Sequence, residues 1–179
     1  MLSYNVAGLL RATPGTVRRY PVHAANLEIA ADLRLAAPID GEVRLSRTGR
    51  SILARAELRT ALEERCSRCL VPVTAPVTVL VDEEALPSID LLTGQPLDTS
   101  AEPEALRLDE HHELDLTESV RAAVALAEPI RPLCRPDCRG LCEVCGADLN
   151  REPGHGHDEH DIDPRLAVLS EWRPGGDTA

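Results

Sequence analysis

Residues 51–81 read SILARAELRTALEERCSRCLVPVTAPVTVLV, and this stretch decides the fold. Apolar and charged residues alternate over 52–62, and a valine or alanine occupies every second position over 71–81. A period of two is typical of strands that bury one face. The central ALEER also favours helix, but two alternating runs around a short turn favour strands. The sequence therefore predicts a β-hairpin with Cys66 and Cys69 at its tip.

Neighbouring segments extend this hairpin into a predicted antiparallel sheet. Apolar residues alternate with other residues over 27–35, which predicts the first strand of the chain. Turns are predicted at 38–41, which reads PIDG, and at 48–50, which reads TGR. Pro72 and Pro76 cannot donate to a ladder, so the last strand is expected to lie at a sheet edge or to be broken.

The second half of the chain begins with an acidic segment. Residues 82–118 hold twelve acids and one arginine, which is typical of a solvated linker or flap. The expected organisation is a sheet region at 1–86, a linker at 87–113, and a helix with a metal-binding tail at 114–179, packed with the sheet as one domain. The fold class is therefore α+β, with an antiparallel β-meander, a helix, a zinc-knuckle tail and a short C-terminal helix.

Two helices are expected after the linker. The first begins at Asp115, with Glu118 completing a capping box, and ends before Pro129. The second begins at 163–164, where Asp precedes Pro. Its apolar stripe is formed by Leu166, Leu169 and Trp172.

A metal-binding segment at 134–157 follows the first helix. It reads CRPDCRGLCEVCGADLNREPGHGH, where C-x2-C-G is a zinc-knuckle pattern and glycine permits a tight turn. Thiolates and neutral imidazoles are the usual ligands of Zn²⁺. Together with the hairpin tip, the chain offers enough ligands for two closed tetrahedral zinc sites: Cys66, Cys69, Cys134, Cys138, Cys142, Cys145, His155 and His157.

The sequence leaves the division of these ligands between sites open. Spacing favours one local site and one site that joins the hairpin tip to the tail. The local site would use Cys142, Cys145, His155 and His157. The joining site would use Cys66, Cys69, Cys134 and Cys138. A single zinc ribbon formed by the two C-x2-C pairs at 66–69 and 142–145, or the local tail site alone, are the alternatives.

Composition limits the function classes. The chain of 179 residues has a net charge of −11, no Phe, one Trp and two Tyr, so aromatic stacking on nucleic-acid bases is nearly excluded. Residues 1–72 carry eleven arginines and seven acids, whereas residues 73–179 carry eight and twenty-three. No apolar run could span a membrane and no signal peptide is recognisable, so a cytoplasmic location is expected.

These motifs, taken together, resemble a known family. CSRCL at the hairpin, EPIRPLC, CRPDCRGLCEVCGADLN and IDPRLAVL occur in the order of the YceD family of large ribosomal RNA subunit accumulation proteins. The resemblance covers about 27–172. It implies a bacterial cytoplasmic protein needed for large-subunit rRNA synthesis, processing or stability, with no catalytic residues. Relatives often end the metal segment with C-x-C, where this chain has His155-Gly156-His157.

The leading hypothesis is a non-enzymatic ribosome-assembly factor with structural zinc. Its expected partner is a large-subunit rRNA precursor or a large-subunit ribosomal protein. One alternative is a zinc-dependent hydrolase that processes rRNA, which would need an open metal position. The other is a thiol redox sensor that uses Cys66 and Cys69.

Overall fold

A computed structural model describes residues 2–98, 100, 103–157, 165 and 169 of the chain. Its elements are, in order, β1 (Ser3–Asn5), α1 (Ala7–Leu10), β2 (Val17–Ala24), β3 (Leu35–Thr48), β4 (Ser51–Arg65), β5 (Pro72–Leu86), β6 (Leu106–Arg107), β7 (Glu113–Asp115) and α2 (Thr117–Leu126). Strands β2-β3-β4-β5-β6 form a five-stranded sheet in that order, and β1 pairs with β7. The fold is mixed α+β.

The two hairpins at the centre of the sheet confirm the predicted pattern. Strands β3 and β4 meet at a two-residue turn, where Gly49 has a φ of 63° that suits glycine. Strands β4 and β5 pair from Ile52↔Ala85 to Arg65↔Pro72. The ambiguous ALEER segment is strand, because its apolar side chains, among them the fully buried Leu62, are needed for the core.

The predicted strand at 27–35 is wrong for all but its last residue. The strand beside β3 is instead β2, which was not predicted and which accommodates Pro21 at the edge of the sheet. Residues 25–34 form a loop whose Leu33 is buried, and Arg121 of α2 donates to the carbonyl of Glu28 at 2.6 Å. Most of the alternating apolar residues of this segment pack against the core, although the segment does not pair with a strand.

The predicted turn at 38–41 is also wrong, because β3 runs straight through it. The register with β4 shifts between Ala37 and Asp40, which is a β-bulge. Gly41 lies where the two backbones approach closely: a Cβ atom there would be 2.2 Å from the carbonyl oxygen of Glu57. The glycine therefore permits a close contact between strands rather than a reversal of the chain.

Strand β5 lies at the edge of the sheet over most of its length, as its prolines predict. Pro72 and Pro76 pair with β4 on one side only. Strand β6 covers β5 at Ala85 and Leu86 alone, and it does so in parallel. The sheet is therefore mostly antiparallel, and the prediction of a purely antiparallel sheet is wrong at this last strand.

The acidic segment contributes more to the core than its composition indicates. Leu108 lies within the expected linker at 87–113 and is 1% exposed, and the same range contains β6. The division of the chain at residues 86 and 113 stays a prediction.

Helix α2 packs on the sheet as predicted but starts differently. Val120 and Val124 are fully buried. The Asp115 carboxylate accepts a hydrogen bond from the backbone N–H of Thr117 at 2.8 Å. Glu118 forms an ion pair with Arg121 at 2.8 Å, so the predicted capping box is wrong.

The C-terminal helix expected from 163–164 lies outside the described residues, apart from Arg165 and Leu169. In the part of the chain that the structure describes, every helix is too short or too polar to cross a membrane.

Candidate metal centre

The first cluster joins two parts of the chain that are far apart in sequence. Cys66 and Cys69 lie at the tip of the β4–β5 hairpin, and Cys134 and Cys138 lie in the segment that follows α2. All four Sγ atoms lie within 4.8 Å of one another. The Sγ atoms of Cys66 and Cys138 are 3.8 Å apart, and those of Cys69 and Cys134 are 3.6 Å apart.

These separations fit a tetrahedral zinc site. Four sulfurs at the usual Zn–S distance of about 2.3 Å are about 3.8 Å apart along each tetrahedral edge. The same separations are too long for a disulfide, in which the sulfurs are about 2.05 Å apart. Cys66 and Cys138 are at most 1% exposed and Cys69 is 7% exposed, whereas Cys134 is exposed. The donor set therefore suits a structural Zn²⁺ at the rim of the fold.

Local backbone geometry presents the two hairpin cysteines to one point. The N–H of Cys66 donates to the carbonyl of Val71 at 2.9 Å, and the N–H of Leu70 donates to the carbonyl of Cys66 at 2.9 Å. Leu70 adopts a φ of 61°, which is uncommon for a residue other than glycine. The tight turn makes both thiols face the same side, as a zinc ribbon requires.

Hydrogen bonds fasten the hairpin tip to the segment after α2. The backbone N–H and the hydroxyl of Ser67 both donate to the carbonyl of Pro132 at 2.8 Å. The Arg68 guanidinium donates to the carbonyl of Cys138 at 2.6 Å, and the N–H of Leu141 donates to the carbonyl of Arg68 at 3.1 Å. We refer to the hairpin tip, 66–71, and the docked segment, 132–141, as the clasp.

The second cluster is local. The ligand atoms of Cys142, Cys145, His155 and His157 lie within 4.8 Å of one another. The Sγ of Cys145 lies 3.1 Å from Nε2 of His155 and 3.2 Å from Nε2 of His157, and the two Nε2 atoms are 3.0 Å apart. A tetrahedral zinc site with these donors has S···N and N···N edges of about 3.5 and 3.3 Å. The atoms are therefore slightly closer together than bound zinc would hold them.

The C-x2-C-G pattern forms the knuckle that its sequence predicts. The N–H of Gly146 donates to the carbonyl of Cys142 at 2.8 Å, and the N–H of Cys142 donates to the carbonyl of Ala147 at 2.8 Å. Gly146 has a φ of 74°, so the turn needs glycine at this position.

All eight predicted ligands are thus brought together in two groups of four. The grouping is the one that chain spacing favours, and it separates the pairs at 66–69 and 142–145 that a single ribbon would combine. That these side chains bind zinc stays a prediction.

Two residues beside the clusters were not predicted. The Glu152 carboxylate lies 3.2 Å from Nδ1 of His155, which leaves Nε2 to face the cluster. Metal-binding histidines commonly have such a carboxylate partner. Asn150 donates to Sγ of Cys138 at 3.6 Å and accepts from the backbone N–H of Arg139 at 2.8 Å, so it connects the loop of the second cluster to the first. The sequence signal for Glu152 was its position three residues before His155, and Asn150 had no such signal.

Thiol ionisation differs within the clusters. Backbone N–H groups, that of Cys69 foremost, lower the pKa of Cys66 to about 6. Burial raises the pKa of Cys134 to about 12. The N–H groups of Cys145 and Val144 lower the pKa of Cys142 to about 6. Each cluster therefore offers a ready thiolate, and the first cluster needs a cation before all its thiols can ionise.

Comparisons with known proteins find a matching family model and relatives in mycobacteria. The family model described as "Large ribosomal RNA subunit accumulation protein YceD" matches residues 54–171. An uncharacterized protein of Mycobacterium tuberculosis is 37% identical over 142 residues, which are 78% of this chain and 65% of that protein. An uncharacterized protein of Mycobacterium leprae is 32% identical over 138 residues, which are 75% of this chain and 59% of that protein.

The chain therefore spans less than two thirds of these curated relatives. No solved structure matches. The matched range includes most of β4, all of β5 and α2, and all eight residues of the two clusters. The chain belongs to the YceD family of large ribosomal RNA subunit accumulation proteins.

Proposed function

We propose that this chain is a non-enzymatic, cytoplasmic factor that supports the synthesis, processing or stability of large-subunit rRNA and that contains structural zinc. The family description names rRNA accumulation. The observation that carries the structural part is the four-thiol cluster, which joins the β4–β5 hairpin tip to the segment after α2. Zinc bound there would hold these distant parts of the chain together and would fix the shape of this end of the molecule.

The donor sets favour a structural role for the metal. Each cluster supplies four side-chain donors, which is the full complement of a tetrahedral zinc ion. A catalytic zinc keeps one position open for water or substrate. A hydrolase would therefore have to lose one of these ligands before it could act.

The proposed partner is a large-subunit rRNA precursor or a large-subunit ribosomal protein. The distribution of charge along the chain is compatible with either partner. The first 72 residues carry an excess of arginine that suits phosphate, whereas the acidic remainder suits a basic ribosomal protein.

Complementation tests the function. In bacteria depleted of their own family member, the wild-type chain is expected to restore the ratio of large- to small-subunit rRNA. Cys66→Ser and His157→Ala are expected to restore it poorly, whereas Leu92→Ser, which changes a 92% exposed residue, should behave as wild type. Failure of the wild-type chain to change the ratio would refute the proposed function.

Metal content is measured on the same proteins. Native mass spectrometry should find two zinc ions in the wild type and one in each ligand variant. Two ions in both variants would show that the ligands are wrongly assigned.

A further inference from the structure

Seven arginines lie on or near the end of the sheet where β3 and β4 meet, and three of them share its solvent-facing side. Residues 6–27 contain three arginines and no acid, and residues 43–56 contain four arginines and no acid. The pairing of β2 with β3 and of β3 with β4 brings these two stretches together. Because the chain contains no lysine, the choice of arginine carries no information, and only the positions of the charges do.

Three of these arginines form a row across three strands. Arg19 of β2 lies opposite Arg44 of β3, which lies opposite Arg55 of β4. All three are exposed. Strands are about 4.8 Å apart, so the row is about 10 Å long. Like charges placed directly opposite each other destabilise a sheet. This arginine row is therefore a feature that folding alone does not favour.

The row is only partly neutralised by neighbouring acids. Arg19 lies 3.7 Å from Glu42, and Arg55 lies 3.0 Å from Asp82. Both pairs are more than half exposed and contribute little to stability. Among the described residues, Arg44, in the middle of the row, has neither an ion-pair nor a hydrogen-bond partner.

We propose that the arginine row binds the phosphate backbone of RNA. This inference rests on the proposed function and selects rRNA over a ribosomal protein as the partner of this surface. Phosphates follow one another at regular intervals along a strand, and a regular row of guanidinium groups complements them. Tyr20, the aromatic residue in this part of β2, packs against Tyr4 with ring centroids 5.1 Å apart. Recognition is therefore through phosphates, with little preference for base sequence.

Fluorescence anisotropy with a labelled single-stranded oligouridine RNA tests the proposal. The triple variant R19Q/R44Q/R55Q removes the row. The matched control R34Q/R65Q/R131Q removes three exposed arginines elsewhere, so both variants have the same net charge. If the row meets about three phosphates, log affinity should fall with log salt at a slope of about −2 in the wild type. In the row variant the slope should approach zero, and affinity at low salt should fall about tenfold or more.

The control is expected to retain the wild-type slope and to lose no more than about threefold in affinity. Equal losses of affinity in both variants would mean that net charge alone governs binding. Absence of binding by the wild type would mean that RNA is not the ligand. Either result overturns the proposal. Thermal melts confirm that both variants fold. The row variant is also tested in the depleted cells. If it fails there although the wild type restores rRNA without binding the probe, the surface serves an acidic protein, and the proposed function stands without this inference.

Discussion

Removal of metal should unfold the segment after α2 and leave the sheet intact. Residues 128–157 bury little: Cys138 and Gly140 are the only buried residues in this range. The clasp adds four hydrogen bonds, worth together about 4 kcal/mol at about 1 kcal/mol each. Fixing the backbone of about thirty residues costs at least about 1 kcal/mol each, or about 30 kcal/mol. Hydrogen bonds cannot offset this cost, whereas structural zinc contributes about 10–16 kcal/mol per ion in small zinc-dependent peptides.

Hydrogen exchange with mass spectrometry, before and after complete removal of zinc with EDTA, measures this. Peptides from 128–157 are expected to lose nearly all protection. Peptides from β3 and β4 should keep theirs, because Leu45, Leu58 and Leu62 are fully buried in a core that contains no metal ligand. Persistent protection of 128–157 without zinc would refute the reasoning. An equal loss of protection throughout the sheet would also refute the reasoning, because the metal would then stabilise the whole fold.

A pair of variants separates the effect of metal from that of hydrogen bonding. Cys138→Ser, measured with zinc present, should remove protection from the clasp. Ser67→Ala removes one side-chain hydrogen bond at 2.8 Å, worth about 1 kcal/mol, and should leave protection in place.

Three further predictions concern single residues. Glu152→Gln should weaken zinc binding by the second cluster about 10- to 100-fold, because a carboxylate no longer orients His155. A chelator competition measures this affinity, and an unchanged value would show that Glu152 does not support the site. Gly41→Ala should lower the free energy of unfolding in urea by more than about 2 kcal/mol, since its Cβ would meet a carbonyl oxygen of β4 at 2.2 Å; a neutral effect would mean that the strands separate easily. Leu58→Ala should cost about 2–5 kcal/mol, whereas Leu80→Ala, at a 74% exposed position, should cost little; equal costs would contradict the assigned core face.

Periodicity predicted the central hairpins because β4 and β5 follow a simple rule: inward residues are apolar over most of the paired length. Thr60 is an exception, and its hydroxyl donates to the carbonyl of Ala37 at 2.7 Å. The rule fails for 27–34, since a loop can place Leu33 in the core without pairing. It also fails for β2, where two arginines and Pro21 hide the alternation. Which strand lies beside β3 depends on contacts distant in sequence, and local patterns do not contain them.

The metal clusters were foreseeable for a different reason. Cysteine and histidine pairs that are only two to four residues apart must lie close together, so only the pairing of pairs was open. Chain distance then favoured a local partner for 142–145 and left 66–69 for the cysteines after α2. The contacts of Asn150 and Glu152 could not be foreseen, because an amide or an acid near a knuckle has many possible partners in solvent.

Strand β4 connects the four-thiol cluster to the arginine row that is proposed to bind RNA. Arg55 lies near its start, and Cys66 follows its last residue, so the arginine row and the four-thiol cluster are separated by roughly 35 Å of extended chain. At 0.15 M ionic strength this is several Debye lengths, and the charge on the zinc cluster has little influence on the row. Loss of zinc should therefore leave RNA affinity nearly unchanged while it disorders the opposite end. If zinc removal impairs rRNA accumulation in cells without weakening RNA binding, the metal end must present a second binding surface that is separate from the arginine row.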